Sequence, residues 1–479
     1  MSKLPLYDAL KRYVDQKKVH FDVPGHKRNP KTNMLNEFMQ KKLIDLDVSS
    51  AKDLDMLSTP TGVIKEASRL MAKAFSSDDA YLMVNGTTSA VQTMILAAIK
   101  PGEKILLPRN IHKSAMNALI LSGAVPTYIE PVIDTTLGIA HGITVDALRQ
   151  SIEQNKDARA ILIINPTYYG AASDLRSIIK MAHDAGMLVL ADEAHGAHFY
   201  FNENLPEGAM TLGADLSAVS LHKTGGSLTQ SSVLLAHRKH LDTHLVERAL
   251  KLTLTTSPSY LLLASLDVAR AVLEEDGSSL LEEALELAEG ARVRINQIPG
   301  YYALGSELIG TPGVYDLDLT KLSVQVSGTG LTGFEVYDIL RDEYSIQVEL
   351  GDVHTIIAIV SLGDSKRDLD HLVRALEDIR VKKGSGKTIL TDFLSHRPVM
   401  VVTPREAYYA SKKAVPLMES VGEIAGESVM AYPPGIPIVA PGEKITKDVM
   451  AHIEFLRGQD CVITGTDDPT LETILVLGS

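Results

Sequence analysis

Two ionisable side chains carry the chemistry of this sequence: Asp192, in Asp192-Glu193-Ala194-His195-Gly196, and Lys223, in Ser220-Leu221-His222-Lys223-Thr224-Gly225-Gly226, 31 positions later. Short apolar runs, Met187 to Ala191 and Leu216 to Leu221, lead into them and read as buried strands. A lysine at the mouth of a buried strand is unlike a solvated surface lysine, and its amine can form an imine with an aldehyde. Glycines behind it let the backbone approach a ligand. A carboxylate at a neighbouring strand end holds a heteroaromatic nitrogen protonated, because its charge favours the cationic form. Taken alone, an aspartate there serves equally as a metal ligand, a general base or a helix cap. The spacing of the pair fits one helix and one crossover, which sets both groups at the same edge of adjacent strands.

Other polar residues sit where ligands bind in open parallel sheets, just beyond strand ends. Asn85-Gly86-Thr87-Thr88-Ser89 follows one apolar run and opens the helical stretch Ala90 to Ile99, so its amides and hydroxyls make a phosphate cradle or, equally, a capped turn. Ser220 and His222 flank Lys223 and could reach the same phosphate. Thr167, in Asn165-Pro166-Thr167, could hold a ring hydroxyl. His112, in Arg109-Asn110-Ile111-His112-Lys113-Ser114, could stack on the ring face opposite the small Ala194, or simply cap a helix. Lysine, carboxylate, phosphate cradle and packing on two ring faces are what pyridoxal 5′-phosphate (PLP) requires. No residue is assigned to a metal.

The elements that must position these groups are legible between Tyr81 and Ala236. Apolar runs at Tyr81 to Val84, Ile105 to Leu107, Pro126 to Ile129, Ala160 to Ile164, Met187 to Ala191, Leu216 to Leu221 and Ser232 to Leu235 alternate with amphipathic stretches. Leu175, Ile178, Ile179 and Ala182 fall at i, i+3, i+4 and i+7, between Asp174 as N-cap and Gly186 as stop. The alternation predicts an α/β fold with a mainly parallel sheet covered on both faces. Residues 1–55 read as an arm, 56–260 as the large domain, 261–381 as an α+β domain opened by a helix from Leu261 to Glu274, 382–395 as a polar, Gly-rich linker and 396–479 as a third unit. Tyr432-Pro433-Pro434-Gly435-Ile436-Pro437 in that unit reads as a rigid turn.

Composition narrows the field. The chain has 479 residues, 45% of them hydrophobic, enough for several cores. A net charge of −13 argues against a nucleic-acid partner. The single cysteine, Cys461, excludes an intrachain disulfide framework and fits a reducing compartment. The first residues lack a signal-like apolar segment and no apolar stretch is long enough to span a membrane, so a cytoplasmic protein is expected.

Two nucleotide-like motifs compete with this reading. Gly328-Thr329-Gly330-Leu331-Thr332-Gly333 fits G-x-G-x-x-G, with Glu349 19 positions past Gly330. Yet Ser323 to Val326 alternates polar and apolar residues as a half-exposed strand does, and no further βαβ units follow, which speaks against a nicotinamide dehydrogenase. Gly384-Ser385-Gly386-Lys387-Thr388 lacks the first glycine of a P-loop and follows a helix, so it is read as linker. A non-catalytic PLP-binding regulator and an aminotransferase share the lysine and the aspartate, but no arginine clamp for a substrate carboxylate is identifiable.

The chain resembles the Orn/Lys/Arg decarboxylase family of fold type I PLP enzymes. The matching pieces are Pro24-Gly25-His26-Lys27, Gly86-Thr87-Thr88, Arg109 through Ser114, Asn165-Pro166-Thr167-Tyr168, Asp192 through Gly196, Ser220 through Lys223, Thr256-Ser257-Pro258-Ser259-Tyr260 and Tyr432 through Pro437, in order over nearly the whole chain. Thr88 stands where the family pattern has serine, and the hydroxyl is kept. The resemblance implies that Lys223 is the Schiff-base lysine, that Asp192 pairs with the ring nitrogen, that His112 and Ala194 sandwich the ring, and that Thr87, Thr88, Ser220 and His222 bind phosphate. It implies decarboxylation of a basic amino acid in polyamine biosynthesis, with Lys223 or His195 returning a proton to Cα, and a C-terminal decarboxylase domain. The likeness is to the short biosynthetic type, most of all to bacterial arginine decarboxylases, since nothing before Pro24 is large enough for the wing domain of the long inducible members. Arginine is therefore the expected substrate, with lysine and ornithine as alternatives. A homodimer with shared sites is expected rather than a decamer, with Thr256, Ser257 and the Pro24 to Lys27 arm serving the neighbouring subunit. The substrate's cationic side chain needs an acceptor, and Glu349, Asp352, Asp53 and Asp55 are the candidates.

Overall fold

Runs of Leu, Ile, Val and Ala that are too short for helices and buried on both faces make strands. The structure, a computed structural model describing residues 19–21, 54–383, 398–431, 436–458 and 461–478, assembles seven of them into one sheet. They are β1 (Asp79–Met83), β2 (Lys104–Pro108), β3 (Val125–Ile129), β4 (Ala160–Ile164), β5 (Leu188–Glu193), β6 (Leu216–Val219) and β7 (Ser232–Ala236). Their spatial order is β1-β7-β6-β5-β4-β2-β3. From β3 to β6 neighbouring strands are parallel. β7 runs antiparallel to both β6 and β1.

The period of two along each strand divides the sheet into two cores. Ile161, Ile163, Val189 and Ala191 face one side, where Ile178 and Ile179 of α3 (Leu175–Asp184) cover them. Leu162, Leu190, Leu216 and Ala218 face the other, beneath Met94 of α1 (Gly86–Ala98) and Leu119 of α2 (Lys113–Ser122). Asp174 caps α3, accepting from Ser177 N at 3.0 Å. After β6 the chain makes a single turn, α4 (Leu221–Thr224), so the strand expected to reach Leu221 stops at Val219.

The helix expected from Leu261 to Glu274 is far longer: α5 (Tyr260–Ile295) is continuous over 36 residues. Leu263, Leu266 and Leu273 pack into the first core, whereas Ala284, Ala288 and Ile295 pack into that of the following region, so one rod serves both. Gly277 does not break it. A Cβ there would meet Phe201 Cβ at 3.3 Å, so the glycine admits close packing inside a helix whose neighbours hold it.

The following region contains β8 (Lys321–Gln325), β9 (Ile346–Val348) and β10 (Thr355–Ile359), with α6 (Gly333–Glu343) and α7 (Lys366–Lys383). β8 is antiparallel to β10 and to Tyr302–Ala303. Here the sequence reading needs correcting. Ser323 and Val324 are both buried, so β8 is covered on two faces, and its alternating residue types do not mark a wet side. The dinucleotide reading fails instead on topology, because β8 has no parallel neighbour. Gly333 is explained by packing: a Cβ there would lie 2.3 Å from Thr355 O on β10. Val19–Phe21, assigned to an arm, pairs in parallel with β9, and Phe21 is fully buried in this region's core. Pro24 to Lys27, Asp53 and Gly384 to Thr388 lie outside the described residues.

The last unit has its own core, with Val439, Val449, Ile453 and Ile474 at its centre. Lys412–Pro416 pairs with Thr473–Leu477, and Ile436–Val439 pairs with Val429–Ala431. Ile436 and Pro437 therefore open a strand, while Tyr432 to Gly435 lie outside the described residues. Among the described residues no helix is long and apolar enough to cross a membrane.

Candidate active site

The carboxyl ends of β1, β2, β4, β5 and β6 open on one cavity of about 390 Å³. All eleven residues singled out from the sequence line it: Gly86, Thr87, Thr88, His112, Thr167, Asp192, Ala194, His195, Ser220, His222 and Lys223. Asp192 and Glu193 are the last residues of β5, one step further inside the sheet than expected, and Lys223 is the third residue of α4. Register brings the pair together, since Ala218 of β6 lies beside Asp192. Gly225 and Gly226 do not line the cavity. A Cβ on Gly225 would lie 2.4 Å from Leu221 Cδ1, and Gly226 has φ +87°, so these glycines close the turn that aims Lys223.

One end of the cavity suits an anion. Asn85, at the N-cap of α1, makes no side-chain cap bond, which leaves the first-turn amides available beside the exposed Thr88. Thr87 Oγ1 bonds Ser232 Oγ at 2.7 Å and makes a short contact with Ser220 Oγ, so strand ends β6 and β7 and α1 are tied together by hydroxyls. His222 Nδ1 donates to Ser231 O at 2.7 Å. Burial pushes the imidazole of His222 down to about 4, with the Ser231 carbonyl opposing. Neutral His222 thus keeps Nε2 as an acceptor, and a phosphate beside it would draw a proton onto that atom.

The middle suits a flat ring. His112 is both a cap and a wall: Ser114 N donates to its Nδ1 at 3.2 Å, which fixes Nε2 as the protonated nitrogen, and the ring faces the cavity. Burial, with Lys223 and Lys113 adding to it, holds His112 near 4 and therefore neutral. Thr167 Oγ1 accepts from Ala171 N at 3.1 Å, which leaves its own proton for a ligand. Asp192 accepts from Ala194 N at 3.1 Å. Burial raises its carboxyl above the usual range, and the Ala194 amide and Lys223 only partly oppose this. A buried carboxyl so short of positive charge is matched by a cationic ring nitrogen, so the residues present fit PLP.

The far side holds what the sequence did not reveal. Lys223 Nζ lies 2.9 Å from His195 Nε2, and His195 Nδ1 lies 3.0 Å from Nζ of a second buried lysine, Lys321 of β8. Lys321 also donates to Tyr168 O at 3.0 Å. Of the candidate readers of a substrate side chain, none of the described ones lines the cavity. Asp55 takes amide bonds from Met56, Thr61, Gly62 and Ile64, Asp352 from His354 and Thr355, and Glu349 accepts from Tyr168 OH at 2.8 Å. Among the described residues one cluster has metal-ligand character, His183, Asp215 and His240, at the opposite edge of the sheet; there both imidazoles bond the Asp215 carboxylate at 2.9 Å.

The mainly parallel sheet and the cavity at the carboxyl ends of its strands are those of a fold type I enzyme. The same fold is seen in the Escherichia coli constitutive lysine decarboxylase, with TM-score 0.78 and 22% identity over 99% of this chain and 82% of that one. The chain belongs to the Orn/Lys/Arg decarboxylase family: the model for the major domain matches residues 4–368 and that for the C-terminal domain residues 387–464. It is 43% identical to the arginine decarboxylase of Bacillus subtilis, over 99% of this chain and 97% of that protein, and 40% identical to that of Bacillus anthracis over the same shares.

Proposed function

We propose that this decarboxylase acts on L-arginine, releasing carbon dioxide and agmatine, with PLP as cofactor. The observation that carries the choice of substrate is identity above 40% to an arginine decarboxylase across the full length of both chains. The cofactor, when bound, supplies the electron sink for the pair left at Cα as carbon dioxide departs. Lys223 would hold it covalently, Asp192 would face its ring nitrogen, and Thr167 its ring hydroxyl. His112 and Ala194 would pack its faces. Gly86, Thr87, Thr88, Ser220 and His222 would surround its phosphate.

The chain's own groups then manage charge and protons. Asp192 supplies negative charge in a buried place where it acts at short range with little screening. Lys223 Nζ and His195 Nε2 are paired at 2.9 Å at the deep side of the cavity, and either could deliver a proton to Cα. Thr256 and Ser257 are exposed and do not line the cavity, and Leu252, a few positions earlier in the chain, is 81% exposed, which suits a homodimer whose second subunit completes the site. A cytoplasmic enzyme of polyamine synthesis fits the single cysteine and the product.

Incubation of the pure protein with arginine, lysine and ornithine in separate reactions, with identification of agmatine, cadaverine or putrescine, tests the substrate. Agmatine is expected to dominate. Preference for lysine would overturn the arginine assignment, and carbon dioxide from none of the three would overturn the reaction.

A further inference from the structure

Three elements meet at the amino edge of the sheet, opposite the cavity. His183 lies in the last turn of α3, Asp215 immediately before β6 and His240 shortly after β7. The backbone of Asp215 is fixed between strands, donating to Val189 O and accepting from His237 N, both at 2.9 Å. Its carboxylate is fully buried, and Val189 N donates to Oδ2 at 2.7 Å. His183 Nε2 lies 2.9 Å from Oδ2, and His240 Nδ1 lies 2.9 Å from Oδ1. The two imidazole rings are 4.1 Å apart, centre to centre, and their side chains are 19% and 33% exposed, so the cluster is open to solvent on one side.

If the cluster only satisfied a buried carboxylate, any two donors would serve, and an ammonium or guanidinium would match the charge as well. Both ion pairs of Asp215 are instead to imidazoles. Beyond donating, the two nitrogens share a lone pair that each exposes once the ring proton moves to its other nitrogen. Two imidazoles and one carboxylate are a ligand set for zinc-like ions, whereas magnesium and calcium take oxygens. The geometry is close to what such an ion needs. Bonds of about 2.0–2.2 Å at tetrahedral angles put ligand atoms roughly 3.3 Å apart. The two 2.9 Å contacts therefore open by about half an ångström around an ion, and the nitrogens, within 4.8 Å of each other, close by at most about 1.5 Å.

We propose that His183, Asp215 and His240 hold a divalent transition-metal ion of the zinc type, with water as the fourth ligand on the solvent side. Asp215 binds through Oδ1, while the Val189 amide on Oδ2 fixes the carboxylate as an outer-shell partner does. The remaining imidazole protons sit on Nδ1 of His183 and Nε2 of His240, so both rings stay neutral and the ion answers the buried negative charge. The ion joins the end of α3, the start of β6 and the turn after β7. It is a clasp on the side of the sheet opposite Asp192 and Lys223 and takes no part in the reaction there.

The test uses the PLP-loaded full-length chain, stripped of metal with a chelator and titrated with zinc chloride against a chromogenic competitor. One zinc per chain is expected, with a rise in the melting midpoint. His183→Gln and His240→Asn distinguish a metal site from a hydrogen-bonded one, because their side-chain amides replace the donors and not the ligand nitrogens. Both variants should bind zinc roughly tenfold more weakly, or worse, and lose the zinc-induced rise. Unchanged zinc affinity in these variants would overturn the proposal. So would a wild-type chain that takes up less than one zinc at about 100 μM free ion, a result that needs no variant to fold.

Discussion

At the scale of single residues, Asp192 is a carboxyl raised above the usual range by burial, and in the proposed reaction its charge faces the ring nitrogen of the cofactor. Asp192→Asn keeps the shape and removes the charge, while the anion cradle on α1 is built from other residues. The variant should retain PLP, measured by absorbance titration, and lose roughly 10²-fold or more in turnover, the usual scale for a lost electrostatic stabiliser. Turnover near wild type would remove Asp192 from its role. Residue type and position at strand ends were enough to single out Asp192, Lys223, Thr87 and His222, which the fold brings to the lining of one cavity. They were not enough to find Lys321, which reaches His195 from 126 positions away on a strand whose residue pattern imitates an exposed one. His112 was left open between cap and ring wall; it caps α2 and also lines the cavity.

At the scale of elements, the seven strands of the sheet were legible because parallel strands buried on two faces are written as continuous apolar runs. Their ends were not, since Asp192 and Glu193 are polar residues inside β5: Glu193 is fully buried and satisfied by Asn165, Tyr200, Ala209 and Ser217. Asp55 shows the same limit. It was weighed as a substrate reader, yet it caps the helix Val63–Ala74 through several backbone amides. Burial would raise its carboxyl, but the amides of Thr61, Met56, Gly62 and Lys65 bring it down to about 2. A folded-state value below the unfolded one contributes stability above about pH 4 and loses it as pH falls through about 2. Asp55→Ala should therefore cost about 1–2 kcal/mol near neutral pH. Thermal melts should show the gap to wild type closing below pH 4, and a gap of constant size down to pH 2 would contradict the capping account.

At the scale of the whole molecule, the loop that carries His112 is tied to the last unit. Arg109 Nη2 bonds Glu443 Oε2 at 2.9 Å, with Glu443 fully buried and also accepting from Ala440 N. Burial raises Glu443, and Arg109 opposes it. Glu443→Gln should cost about 3–5 kcal/mol by stranding the guanidinium, and the double variant with Arg109→Met less than the two single changes combined. Denaturant melts of the four proteins check this, and simple additivity would refute the coupling. No linear pattern announced that contact, nor that Ile436 of the last unit would reach the cavity wall.

Lys223, and no other lysine, is the proposed attachment point of the cofactor. Borohydride reduction of the PLP-loaded full-length chain, followed by digestion and mass spectrometry, reads this directly. A single pyridoxyl-modified lysine, Lys223, is expected, with no fixed label in Lys223→Ala. A label on Lys321 or any other lysine of the wild type, or one that survives in Lys223→Ala, would contradict it.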